Sequence, residues 1–148
     1  MKNFNLNIPL IFVCIFMLSS CKIETEPIHY GKDFCEFCKM TIMDKKFGTE
    51  LVTSKGKVHK FDDTGCMVKF MKSSNIGESD CKHIVFSTLN IPNNFISFKK
   101  AFFVKSVSLR SPMLGNIAAF GSELEAQTFI KTDSTSESVI WTELNGLF

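Results

Sequence analysis

The chain holds one Trp and one Tyr against sixteen Phe, and only three His in 148 residues. It also lacks a surplus of basic charge. Seventeen Lys and Arg stand against fifteen Asp and Glu, giving a net charge of +2 and a pI of about 8.2. Nucleic-acid-binding domains show a clustered basic face and a higher pI, so that class is set aside. No Ser/His/Asp arrangement is present, and the adjacent Asp62 and Asp63 read as a helix cap rather than an acid–base pair. Catalysis is therefore not expected. The longest apolar run, Ile8–Leu18, is too short for a comfortable transmembrane span. Cys35 and Cys38 form a C-x-x-C, but fourteen residues separate Cys66 from Cys81, so no second close pair completes a zinc ribbon. No parallel β-α-β crossover surrounds the C-x-x-C either, which argues against a thioredoxin-like dithiol.

What is present begins with a targeting signal. Lys2 supplies a positive start, and the apolar run ends in Leu18-Ser19-Ser20-Cys21. That ending resembles the lipobox of bacterial lipoproteins, in which the signal is cut before a cysteine that is then acylated. The expectation is a signal peptide over 1–20 and lipid on Cys21, enough to hold a soluble domain at a membrane. Loss of Lys2 lowers the net charge by one. Cys14 leaves with the signal, and Cys35, Cys38, Cys66 and Cys81 remain for a fold or a site. An exported chain with four cysteines also admits a disulfide, Cys66–Cys81 being one candidate, with free buried thiols as the alternative.

Residues 21–33 are polar with little apolar period and read as anchor and tether, His29 being a surface residue on it. A folded unit of about 34–148 follows, in two related halves at about 34–80 and 81–148. Gly48–Asp63 reads as a hairpin around Ser54-Lys55-Gly56. Asp62 or Asp63 then caps a helix over "TGCMVKFMKS", with Cys66, Met67, Phe70 and Met71 on its inner face. Strands are expected at Lys82–Leu89, Lys100–Leu109, the stretch "NIAAFGS" and Val139–Leu144. Ser122 and Glu125 make a capping box for a second helix, "ELEAQTFIK", burying Leu124, Ala126 or Gln127, Phe129 and Ile130. In each half a methionine precedes a strand, a Phe, a cap and a short helix. The class is α+β: two small strand–helix units, mostly antiparallel strands and two short helices.

The densest chemistry lies in "DFCEFCKMTIMD" (Asp33–Asp44), with two cysteines and two methionines. Thiolate and thioether together select Cu(I). An extended Cys38-x-Met40 segment would put both sulfurs on one side of the chain, within reach of one ion. A structural disulfide, dithiol exchange through Cys35-x-x-Cys38, and plain packing of Met40 and Met43 are the competing readings.

The stretch "YGKDFCEFCKMTIMDKKFGTELVTSKGKVHKFDDTGCMVKFM" resembles the NosL family, lipoprotein copper chaperones of nitrous oxide reductase. "RSPMLGNIAAFGSELEAQTFI" is similar to the second half of that family. The resemblance covers about residues 28 to 144. It implies two similar small α/β units and an exported lipoprotein on the periplasmic side of the envelope. It also implies Cu(I) as cargo and, as partners, apo nitrous oxide reductase and its membrane maturation complex. Carried onto this chain, it makes Cys38 and Met40 the ligands. Cys35 is absent from the shorter C-G-M form, and is either a third ligand or a disulfide partner of Cys38. Lys39 stands where many relatives have glycine. Met113 is a candidate ligand from the second half. Met43 or His59 could complete the shell, although a surface place on a strand is the expectation for His59.

Overall fold

The computed structural model describes residues 22–148; the apolar signal and Cys21 lie outside the described residues. The expected hairpin forms from β1 (Thr49–Thr53) and β2 (Val58–Phe61), turning through Gly56 at φ +83°, a conformation costly for any residue with a Cβ. Helix α1 (Thr64–Ser73) follows, then a 3-10 turn (Glu78–Asp80), β3 (Cys81–Ser87), β4 (Phe95–Ser97) and β5 (Phe102–Lys105). The chain closes with β6 (Ile117–Phe120), α2 (Glu123–Thr132), β7 (Glu137–Val139) and α3 (Trp141–Leu147).

Two antiparallel sheets result, one ordered β2-β1-β3-β4 and the other β6-β5-β7. The α+β class holds, with three corrections of detail. The expected strand Val139–Leu144 ends at Val139, because the Ile140 N–H donates to the Glu143 carboxylate and starts a third helix. Leu124 is exposed, and α2 instead turns Ala126, Phe129 and Ile130 toward the second core. Sheet membership changes between β4 and β5, near residue 100 rather than 81. β3 is claimed by β1, which pairs with it from Thr49↔Phe86 to Thr53↔Cys81.

The register places Leu51 beside His59 and Ile84, and Thr49 beside Phe61 and Phe86. Cross-strand partners share a sheet face, so this face meets α1. Leu51, Phe61, Met67 and Phe86 are essentially fully buried there, each worth about 2 kcal/mol in area removed from water. Phe86 meets Phe103 of the second sheet edge-on at 4.9 Å between ring centroids. The Leu89 N–H donates to the Ala119 carbonyl at 2.9 Å, so the two sheets are joined through backbone as well as core.

The other face of β1 carries Glu50 and Val52, and both are buried too. Their cover is the segment read above as a tether. The Ile23 carbonyl accepts from His83 Nε2 at 2.9 Å, and the Glu26 N–H donates to Glu50 Oε1 at 2.9 Å. Lys60 Nζ donates to the Pro27 carbonyl and pairs with Asp33 at 2.9 Å. Ile28 is buried. Residues 22–33 thus form a strap along the hairpin, from Ile23 near the Gly56 turn to Tyr30 and Ile28 against Gly48. Both faces of β1 are covered, which is why "TELVT" is buried through four of its five positions.

Candidate metal centre

The strap leads directly into a tight loop. Its mouth is closed by the Ile42 N–H to the Asp33 carbonyl at 2.9 Å and the Cys35 N–H to the Met40 carbonyl at 2.8 Å. Inside, the Lys39 N–H donates to the Cys35 carbonyl at 2.9 Å. The turn requires Lys39 at φ +63°, the left-handed region that glycine enters freely. This explains physically why a glycine suits the position. It also corrects the expectation of an extended Cys38-x-Met40 segment, because the chain reverses at the residue between them. The loop points Cys35 and Ile42 inward and leaves Phe34, Phe37, Met40 and Met43 exposed.

Facing the loop is the start of α1. Asp63 is the N-cap, and its Oδ1 accepts the Cys66 N–H at 2.9 Å. That bond fixes Cys66 as the third residue of the helix and leaves its thiol free to point at the loop. Asp62, one residue earlier, is equally buried, and its Oδ2 accepts the Cys38 thiol at 3.4 Å. The sulfurs of Cys35, Cys38 and Cys66 and a carboxylate oxygen of Asp62 all lie within 4.8 Å of one another. The other Asp62 oxygen, Oδ1, is buried with no hydrogen-bond partner. A buried carboxylate oxygen left unpaired beside three sulfurs is costly unless a cation balances it.

The cluster also sets its own protonation. The Cys35 thiol is drawn down to about 7, chiefly by the hydrogen bond from the Cys66 thiol and against burial; the backbone N–H groups of Cys38 and Asp62 assist. Cys38 is pushed up to about 11 by burial and by its neighbours Cys35 and Asp62. Cys66 is pushed up by its bond to Cys35, by burial and by Asp62. Three sulfurs, one of them with a lowered pKa, and a buried carboxylate make a donor set able to hold a thiophilic cation.

The second half touches this corner through Asp63. Its Oδ2 accepts the Ser111 hydroxyl at 2.8 Å, the Met113 N–H at 3.2 Å and the Gly115 N–H at 3.3 Å. The loop carrying Met113 is thereby pinned to the residue next to Asp62, with Met113 itself packed on the core. Of the expected site residues, the structure joins Cys35 and Cys38 in one cluster, sets Met40 on its rim and brings Met113 alongside through Asp63. His59 is not a surface residue: it is 4% exposed and tilted against Phe70 at 4.6 Å between ring centroids, and its Nδ1 has no hydrogen-bond partner among the described residues. Burial, with Lys57, holds its pKa down.

Two cluster members were missed. Asp62 was absorbed into the cap, and Cys66 into a helix face or a bridge with Cys81. All four described cysteines are free, and Cys81 donates instead to the Gly77 carbonyl at 3.3 Å. The missing second pair is Asp62-x3-Cys66, a carboxylate just ahead of the α1 cap and a thiol in the first turn of the helix.

The NosL family model matches residues 28–139. The chain belongs to the NosL family. The NosL match opens at Ile28, the buried residue of the strap, and closes at Val139, the end of β7. It therefore includes the whole cluster and Met113. The fold is also that of a solved structure, the copper chaperone NosL from Shewanella denitrificans. The TM-score is 0.68 at 22% identity, covering 82% of this chain and 96% of that one. No curated protein matches the chain.

Proposed function

We propose that this NosL-family chain is a carrier, not an enzyme, that holds Cu(I) and passes it by ligand exchange to nitrous oxide reductase. It works on the periplasmic side of the envelope, anchored by lipid on Cys21. The observation that carries the reading is the set of three thiols and one carboxylate beneath a loop that ends in the exposed thioether of Met40. Cu(I) prefers few, soft ligands, and mixed thiolate and thioether donors favour it over harder cations. Cys38 is the half-exposed member, so an incoming sulfur or imidazole reaches the ion there first. Departure one ligand at a time avoids a free ion. Family membership and the copper chaperone of similar fold support the same reading, and the lipobox-like Ser19-Ser20-Cys21 supports the anchor. Among the described residues no helix is long and apolar enough to cross a membrane, so attachment would fall to the lipid.

Dithiol exchange is the weaker reading, because the C-x-x-C sits on a turn instead of opening a helix of its own. The test is titration of the reduced chain with Cu(I) against a competing chelator. Cys38→Ser should weaken binding about a hundredfold, and Met40→Leu about tenfold. Unchanged affinity in both variants would overturn the copper reading.

A further inference from the structure

Four large apolar side chains stand in solvent around Cys38: Phe34 at 63% exposure, Phe37 at 38%, Met40 at 56% and Met43 at 68%. They alternate along one short loop with the buried Cys35 and Ile42, so each is held outward by the hydrogen bonds that close the loop. Leu114, beside Met113 on the loop pinned by Asp63, adds a fifth at 75%. Singly exposed apolar residues are ordinary, but a ring of them at one pole of a small domain marks a contact surface.

The strap decides what that surface meets. The described chain begins at Lys22, and the next residue, Ile23, lies against the hairpin tip at Gly56 while His83 holds its carbonyl. The sulfur cluster sits at the opposite end of β2, whose four residues span about 13 Å at roughly 3.3 Å per strand residue. The strap is fixed along its length by Glu26, Pro27, Ile28 and Asp33, so it cannot swing the anchor round to the cluster. An anchor at the hairpin tip turns the ring away from the lipid surface.

We infer that the ring of Phe34, Phe37, Met40, Met43 and Leu114 is the docking face for the protein that accepts the metal, on the pole of the domain opposite the anchor. This rests on the reading of the chain as an anchored copper carrier. The chemistry of the partner follows from the cargo: its own sulfur or imidazole ligands must come within bonding distance of Cys38. Any protein surface close enough to do so covers the adjoining Phe34 and Phe37. Apolar contact there holds the two sites together during exchange, and its loss shortens the encounter without altering the metal site.

The test uses the full chain loaded with Cu(I), and a variant carrying Phe34→Ser, Phe37→Ser and Leu114→Ser, none of which is itself a proposed ligand. Metal transfer is followed to apo nitrous oxide reductase and, in parallel, to a small chelator. The expected result is transfer to the enzyme slowed about tenfold, with transfer to the chelator unchanged. Equal rates to the enzyme for both proteins overturn the docking face. Vesicles of anionic and zwitterionic phospholipid, offered to chain lacking the lipid, should bind neither protein. Binding by the wild type alone assigns the ring to the membrane and overturns the proposal, as does a wild-type dimer in sedimentation that the variant loses. If the wild type supplies the chelator but never the enzyme, the delivery reading itself falls, and the docking face with it.

Discussion

The two helix starts of this molecule make an instructive pair. Each follows a completely buried Phe at the end of a strand, Phe61 in one half and Phe120 in the other. Asp62-Asp63 then matches Gly121-Ser122, with Asp63 and Ser122 as N-caps, and Cys66 matches Glu125 at the third helical position. In the second half these positions serve the helix alone: Ser122 accepts the Glu125 N–H, and the Glu125 carboxylate reaches back to the Ser122 N–H. In the first half the cap bond is kept and the rest is diverted. The third residue presents a thiol to the Cys35 loop, the residue before the cap presents a carboxylate, and the free oxygen of the cap binds the Met113 loop. The same cap geometry thus serves the helix alone after Phe120 and, after Phe61, also presents groups to the cysteine–aspartate cluster.

The sharpest way to break this comparison is at the caps. Asp63→Ala should cost about 3 kcal/mol, because it removes a cap and leaves the Ser111, Met113 and Gly115 donors without a buried acceptor. Ser122→Ala should cost about 1 kcal/mol, a cap alone. Urea unfolding of the two variants measures the difference, and equal losses would remove the bracing role given to Asp63. Next in size is the third helical position. Cys66→Ser should weaken Cu(I) binding about tenfold, whereas Glu125→Gln should leave it unchanged. Competition with a chelator reads both. The smallest effect is expected at Lys39, whose left-handed backbone at φ +63° is matched in the Met113 loop by Arg110, Leu114 and Asn116. Lys39→Gly should change stability by about 1 kcal/mol or less, with relief of the strained turn set against the greater freedom of glycine in the unfolded chain, and should leave metal affinity intact.

Local signals carried well into the structure. The α1 sequence "TGCMVKFMKS" is the helix that forms, and the Ser122–Glu125 box starts α2 as its spacing suggests. The hairpin around Gly56 also stands where its turn residues put it. Most of the misses depend on contacts distant in sequence. Lys22–Asp33 looked featureless because its partners Glu50, Lys60 and His83 come from three strands. Asp62 and Cys66 read as cap and core because only the folded hairpin carries them to Cys35 and Cys38. The extended Cys38-x-Met40 segment does not form, because the left-handed Lys39 between them cannot be read from a lysine. His59 looked like a surface polar residue, and only the β1–β2 register turns it toward Phe70.

The strap also sets where this protein can be cut. Its Ile28 side chain, its bond to Glu50 and its contact with the hairpin tip make it part of the folding unit, although it has no strand or helix of its own. Cleavage after residue 33 would free the strap and leave the Glu50 carboxylate, whose pKa burial already raises, without the Glu26 N–H that it accepts. A cut that keeps the domain intact must therefore fall ahead of Ile23, within a very few residues of Cys21, the proposed site of the lipid. A protease acting further along the strap would destroy the carrier instead of setting it free.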